Sequence, residues 1–191
     1  MIELFHAPNS RASTIVQLVE AMGALGAVTL RQTSIVGPDG SGGADPANPH
    51  PDGKVPYLVH DGVGMSETNA IALYLTDLFP QSGLGYVVGD RLRGPYLSWL
   101  AWYGNVLEPV LHFHLLNIDA PPLRRTFRDL ETAIARIEGQ LAQSPWLVGD
   151  RYSAADMLIS QAFALFPVIV PDTGPIGDWV ARCQARLAAK R

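Results

Sequence analysis

The sequence predicts an α/β fold of element order βαβ-ββα in its first part, followed by an all-α helical bundle. Strand and helix patterns alternate as far as Pro80, whereas nothing beyond it has the alternation of a strand. Of the 191 residues, 48% are hydrophobic and 17% charged, a composition typical of globular proteins. We expect domains at residues 1–80 and 90–191, joined by a glycine-rich linker at 81–89.

The first elements are expected to form a β-α-β unit. Glu3–His6 is a short strand, and Ala27–Ile35 has the β-branched, alternating character of a second strand. The apolar residues between them share one face of a helix, which Asn9 or Ser10 is expected to cap. Because a helix connects the two strands, they are expected to run parallel.

A hairpin and a further helix complete the first domain. Val55–His60 and Val63–Met65 flank a tight turn, so they are expected to pair as antiparallel strands. Ser66 is expected to cap the helix that follows, and Pro80 ends it.

Two segments between the strands are not explained by packing. Gly37–Gly53 holds five glycines and four prolines, which predicts a long loop acting either as a functional lid or as a disordered linker. Pro56 lies inside an apolar strand, where it removes a hydrogen-bond donor. Either its bond to Val55 is cis, leaving the Val55 main chain free for an extended ligand, or it is a trans proline at a strand start.

The second half carries helical patterns. One amphipathic helix is predicted from apolar residues at intervals of three and four, namely Leu123, Phe127, Leu130, Ile134, Ile137 and Leu141. Its solvent-facing side would carry Arg124, Arg125, Arg128 and Glu131. A later helix is announced by Ser153 and Asp156, a capping-box pattern, with Met157, Ile159, Phe163 and Phe166 as its apolar positions.

Charge and cysteine content exclude several classes of function. The net charge of −4 gives no positive field, so nucleic acid is not an expected partner, and no apolar run is long enough to span a membrane. A lone Cys183 rules out an internal disulfide or a cysteine-rich metal site, and we expect a packed or partly exposed, unreactive thiol in a cytoplasmic protein. His112 and His114 are two residues apart, so they cannot share a metal, and no metal is expected.

A second motif lies at the predicted start of the helix and consists of Ser66, Glu67 and Thr68. An acid, hydroxyl groups and free backbone N–H groups meet at the start of a helix, where the carboxylate of a ligand would be favoured. Helix capping alone is the alternative explanation.

Taken together, these motifs resemble the cytosolic glutathione transferases. The resemblance rests on the order of elements, on Asn48-Pro49 and Gly53-Lys54-Val55-Pro56, on Ser66-Glu67-Thr68, and on Ser153 with Asp156. It implies a thioredoxin-like first domain and a bacterial-type, serine-containing member of the family.

The resemblance also implies a glutathione-binding site. Glutathione would be the co-substrate, its cysteinyl backbone paired with Val55 before the cis-Pro56. Its γ-glutamyl end would be held by Glu67 and Thr68, and Lys54 would meet its glycyl carboxylate. The group that donates a hydrogen bond to the thiolate falls on Ser10; Ser13 is the runner-up, and Asn9 is a possible second donor.

A small hydrophobic electrophile would bind beside the first helix of the helical half, against Trp102, Tyr103, Val106, His112 and Phe113. The implied activity is glutathione transfer by a homodimer. A glutathione-dependent isomerase or dehalogenase, and a non-catalytic interaction or regulatory protein of the same fold, are the alternatives.

Overall fold

A computed structural model describes residues 1–37, 39–171 and 174–189 of the chain. Pro38, a member of the predicted loop, and residues 172, 173, 190 and 191 of the predicted second domain lie outside the described residues. The described chain divides into two compact units, Met1–Leu84 and Gly85–Ala189. The first holds every described strand, and the second is helical, as the sequence predicts.

The first unit is built on a four-stranded mixed sheet. Its strands are β1 (Ile2–His6), β2 (Val28–Gln32), β3 (Tyr57–His60) and β4 (Val63–Met65), in the spatial order β2-β1-β3-β4. The β1 strand pairs with β2 in parallel and with β3 antiparallel, and β3 pairs with β4 antiparallel. The thioredoxin-like arrangement, the parallel first pair and the hairpin are therefore confirmed.

Two predicted strands are shorter than expected. The β2 strand ends at Gln32 rather than Ile35. The next residue, Thr33, still donates its N–H to the His6 carbonyl at 2.9 Å. The β3 strand begins at Tyr57 rather than Val55, because the register with β1 stops at the pair Phe5 and Tyr57.

Two helices, α1 (Ala12–Ala21) and α2 (Thr68–Leu78), complete the first unit and contact each other. Their buried residues form a core with Leu4 and Leu58 from the sheet, both fully inaccessible to solvent. Gly23 follows α1 with φ 69°, a conformation that glycine adopts without steric cost, and so ends that helix.

The second unit contains six α-helices within its described residues. Their bounds are α3 (Arg93–Trp102), α4 (Glu108–Leu115), α5 (Pro121–Phe127), α6 (Leu130–Leu141), α7 (Ala154–Leu165) and α8 (Pro175–Ala188). A π-helical turn, Tyr103–Leu107, joins α3 to α4. The largest fully buried side chains here include Trp179, Tyr96 and Phe163.

The single helix predicted from Leu123 to Leu141 is wrong, because the chain breaks at Arg128. There φ is 67° and ψ −153°, outside the helical region. Asp129 then starts α6 as its N-cap, its carboxylate accepting from the N–H of Thr132 at 2.8 Å and from its hydroxyl at 2.7 Å. Aspartate competes in this way with a continuing helix, since it offers the backbone a cap instead.

The predicted capping box at α7 is confirmed. Asp156 accepts from the N–H and the hydroxyl of Ser153, each at 3.0 Å. Its other oxygen accepts from the Leu147 N–H at 2.9 Å and from the indole N–H of Trp179 at 3.1 Å. Burial raises the pKa of the Asp156 carboxyl, and these hydrogen bonds oppose the shift. Phe166, predicted as an apolar helix position, instead follows the end of α7 and is 39% exposed.

Cys183 lies on α8 and is fully buried. Burial raises the pKa of its thiol to about 12. A buried thiol that stays protonated has little reactivity, which agrees with the unreactive role predicted for it.

Candidate functional site

The Val55–Pro56 peptide bond is cis, the first of the two alternatives left open by the sequence. Pro56 is buried and Val55 is half-buried, immediately before β3. Within the described part of the chain, no hydrogen bond engages the main-chain N–H or C=O of Val55. These two groups are therefore open to an extended peptide that pairs with main chain.

The start of α2 is also open. Glu67 occupies the N-cap position with φ 71° and ψ 118°, and no side chain caps the helix, so the cap predicted at Ser66 is wrong. Thr68, the first helical residue, is 8% exposed, and neither its N–H nor its hydroxyl has a partner among the described residues. Free N–H groups at a helix N-terminus attract a carboxylate.

Lys54 is held at its main chain and free at its side chain. The buried Asn48 side chain donates from Nδ2 to the Lys54 carbonyl at 3.0 Å, and its Oδ1 accepts from the His50 N–H at 3.2 Å. In the described parts of the chain, no acid pairs with the exposed Lys54 ammonium. The role of Asn48 in ordering this segment was not predicted, since an asparagine in a loop has no periodic signal.

His50 and Tyr57 order the same segment through a hydrogen bond and a ring contact. His50 Nδ1 accepts from the Asp52 N–H at 2.9 Å, and the His50 ring lies 5.1 Å from the Tyr57 ring. Tyr57 in turn covers Gly64 of β4, where an added Cβ would overlap its hydroxyl. Apart from Pro38, the predicted loop Gly37–Gly53 contains turns and one isolated bridge, between Val36 and Gly42, with no helix or strand.

Ser10 lies in the turn between β1 and α1, half-buried. Its hydroxyl donates to the Ala7 carbonyl at 2.7 Å and accepts from the Ala12 N–H at 3.2 Å. The N-cap position falls on Arg11 rather than on Asn9 or Ser10, although the contact with Ala12 lets Ser10 satisfy one free N–H of the helix. Of the two other candidates, Asn9 has φ 54° and is exposed, and Ser13 lies within α1.

The residues predicted to face an electrophile differ in burial. Trp102 is 7% exposed, and the Arg136 guanidinium lies 4.8 Å from its ring centroid. Tyr103 is also buried and donates to Glu108 Oε1 at 2.8 Å. Both side chains are thus largely buried.

The remaining three of that set are more accessible. Val106 is half-buried in the π-helical turn, and His112 is exposed, its Nδ1 lying 2.8 Å from the Glu108 carbonyl. Phe113 is half-buried and contacts Phe127 edge-on at 5.5 Å between ring centroids.

Among the residues that the structure describes, no group of three or more His, Cys, Asp or Glu side chains is placed to hold a metal ion. In that same part of the chain, no helix has the length and hydropathy needed to cross a bilayer.

Comparison with protein families matches both halves of the chain. Residues 4–83 match the model of the glutathione S-transferase N-terminal domain, and residues 106–186 match that of the C-terminal domain.

Curated relatives are similar over part of their length. The chain is 31% identical over 116 residues to glutathione S-transferase GST-4.5 of Xanthomonas campestris pv. campestris, covering 56% of each protein. It is 32% identical over 120 residues to the disulfide-bond oxidoreductase YfcG of Escherichia coli, covering 56% of this chain and 54% of that protein. The chain thus spans little more than half the length of these two relatives.

Solved structures are similar over nearly the whole chain. A glutathione transferase from Methylococcus capsulatus is 26% identical, with a TM-score of 0.76 and coverage of 100% of this chain and 98% of that one. A sphingomonad glutathione S-transferase complexed with glutathione is 22% identical, with a TM-score of 0.73 and 98% coverage of each chain, which shows the shared fold.

Proposed function

The chain belongs to the glutathione S-transferase family, and from that premise we propose that it activates glutathione as a thiolate for attack on a small hydrophobic electrophile. One observation carries the proposal. The main chain of Val55 and the N–H and hydroxyl of Thr68, none of which has a partner in the described part of the chain, belong to the same unit, and both suit a short peptide with a carboxylate.

Glutathione would use these groups in the following way. The N–H and C=O of its cysteinyl residue pair with Val55, next to Pro56. The carboxylate of its γ-glutamyl end accepts from Thr68, and the exposed carboxylate of Glu67 faces the ammonium group of that same end. The Lys54 ammonium meets the glycyl carboxylate.

Ser10 would donate its hydroxyl hydrogen to the sulfur. A hydrogen bond to a charged acceptor contributes about 1.5–3 kcal/mol, while giving up the bond to the Ala7 carbonyl costs about 1 kcal/mol. The N-terminus of α1 adds about 0.3–1 kcal/mol for an anion. Since one pKa unit corresponds to about 1.4 kcal/mol, the thiol pKa of glutathione would fall by roughly half a unit to two units from the value of about 8.5 that is typical of a cysteine thiol.

This mechanism is tested by titrating the thiol of bound glutathione through the ultraviolet absorbance of the thiolate. In Ser10→Ala the midpoint is expected to rise by about one unit, while the glutathione Kd measured at about pH 6, where the bound thiol is protonated, changes less than about twofold, because Ser10 stabilises only the thiolate. Ser13→Ala is the matched control and should leave the midpoint unchanged. A shift in Ser13→Ala, with none in Ser10→Ala, would transfer the role to Ser13.

The transfer step itself needs a second test. Retention on immobilised glutathione, with release by free glutathione, is expected of a transferase, whereas a non-catalytic interaction protein of this fold would pass through. The electrophile is proposed to contact Trp102, Tyr103, Val106, His112 and Phe113. Turnover of an aryl halide would separate conjugation from isomerisation, since only conjugation releases halide and retains the aryl group on sulfur. The homodimer and the cytoplasmic location remain predictions.

A further inference from the structure

The first unit contains a buried amide, Asn48, in the irregular segment between β2 and β3, where it is only 7% exposed. Its Nδ2 donates to the Lys54 carbonyl at 3.0 Å, and its Oδ1 accepts from the His50 N–H at 3.2 Å. The Asn48 N–H donates to the Asp45 carbonyl at 2.9 Å. Buried polar side chains need such partners, and here both ends of one amide are committed to main-chain groups just before Val55.

The hydrogen bond to the Lys54 carbonyl fixes the direction of the next N–H along the chain. A trans peptide group is planar, and its C=O and N–H point in opposite directions. Lys54 and Val55 are joined by a trans bond, since the cis bond found in the described residues is the one between Val55 and Pro56. The Lys54 carbonyl points at the Asn48 amide, so the Val55 N–H points away from it, where no described residue accepts its hydrogen.

Asn48 is also the one hydrogen-bond partner that the described residues offer to this peptide group. A planar peptide group still turns as a unit, because the single bonds on either side of it rotate. The exposed Lys54 side chain does not oppose such a turn, since it has no ion pair in the described parts of the chain. The Asn48 amide therefore selects one orientation of the Lys54–Val55 peptide group.

We propose that Asn48 is a positioning residue for the peptide substrate, which holds the Lys54 carbonyl so that the Val55 N–H meets the cysteinyl carbonyl of glutathione. This role depends on the proposed function, in which the main chain of glutathione pairs with Val55. An N–H that already points toward its acceptor has no ordering cost on binding. Loss of the Asn48 amide should therefore weaken the pairing at one ligand group, the cysteinyl carbonyl, and leave the contacts at Thr68 unchanged.

Two ligands test this role by titration calorimetry of the full chain. S-methylglutathione removes the ionisation of the thiol from the measurement, and its analogue with a trans carbon–carbon double bond in place of the cysteinyl–glycyl peptide bond lacks the carbonyl. In Asn48→Ala the affinity for S-methylglutathione should fall about tenfold, whereas the affinity for the analogue should fall less than about twofold. Ser41→Ala is the matched control, since it removes a hydrogen bond to Asp39 in the same loop, and should change neither affinity more than about twofold.

A second variant tests the donor itself. Asn48→Asp keeps the size of the side chain, but only a protonated carboxyl donates to the Lys54 carbonyl, while the ionised form only accepts. Measured against the unaltered protein, its affinity for S-methylglutathione should recover at least about fivefold between about pH 8 and about pH 5. Ala47→Asp adds the same charge at the exposed neighbouring residue and should show no recovery.

The outcomes separate positioning from a merely structural role. Equal losses for both ligands in Asn48→Ala would overturn the proposal, and so would an unchanged affinity for S-methylglutathione. If Asn48→Ala does not fold, absence of the pH-dependent recovery in Asn48→Asp would overturn it instead. The proposed function fails in a different way, because an unaltered protein that binds neither ligand would remove the glutathione site itself and the role of Asn48 with it.

Discussion

The starts of α2 and α7 use similar residues to opposite effect. At α7, Asp156 accepts four hydrogen bonds and is completely buried with its neighbour Ser153. At α2, Glu67 is exposed, and among the described residues no side chain caps the helix and the N–H and hydroxyl of Thr68 have no partner. The hydrogen-bonding groups at the start of α7 are thus satisfied by the protein itself, whereas those at the start of α2 are available to a ligand.

The difference separates a structural group from a binding group. A polar group whose partners all come from the chain contributes to folding, and removing it leaves those partners buried without hydrogen bonds. A group without partners contributes little to folding and is available to a ligand. The two helix starts should therefore respond to substitution in opposite ways, one in stability and the other in affinity.

The largest effect is expected at the start of α7. Asp156→Ala removes the acceptor of the Leu147 N–H and of the Trp179 indole, so we expect the free energy of unfolding to fall by about 4 kcal/mol. Urea unfolding measures this. The Cys183 thiol should also become accessible to a thiol reagent, since α8 carries both Trp179 and Cys183. A loss below about 1 kcal/mol would contradict the structural role.

An intermediate effect is expected at the open start. Thr68→Val keeps the shape of the side chain and removes its hydroxyl, so the glutathione Kd should rise about tenfold, equivalent to about 1.4 kcal/mol. The free energy of unfolding should change by less than about 0.5 kcal/mol, because the hydroxyl has no partner in the described structure. A large loss of stability with unchanged affinity would reverse the assignment.

The smallest effect is expected at Ser66. Ser66→Ala should change the free energy of unfolding by less than about 0.3 kcal/mol, since Ser66 does not cap α2. Ser153→Ala is its counterpart at α7 and should cost about 1–2 kcal/mol through the lost hydrogen bond to buried Asp156. Equal losses from both serines, measured by urea unfolding, would remove the distinction between the two helix starts.

Local pattern was sufficient to predict most of the fold. Alternation identified the sheet, and the Ser153–Asp156 spacing identified α7, because both signals lie within a few residues. The break at Arg128 was missed, since the apolar spacing from Leu123 to Leu141 continues across it and only the Asp129 cap opposed that spacing. The cap at Ser66 was wrong because Glu67 takes a positive φ, which residue type does not reveal.

Residue type and position in the sequence were enough to single out part of the candidate site. Val55 and Thr68 carry main-chain or hydroxyl groups that have no hydrogen-bond partner among the described residues, and the Val55–Pro56 bond is cis. The second hydrogen bond of Ser10, to the Ala7 carbonyl, and the bonds of Asn48 depend on three-dimensional turns and could not be derived from spacing.

Gly64 has a consequence for how this protein can vary. Even a methyl group on this edge strand would displace Tyr57, which leans on His50, and His50 steadies Asp52 just ahead of Lys54. A substitution at Gly64 would thus disturb the Tyr57 and His50 rings and, through them, the segment just before Lys54, the residue proposed to meet the glycyl carboxylate. Position 64 and the 50–54 segment are therefore expected to tolerate substitutions only together, although they are not adjacent in the chain.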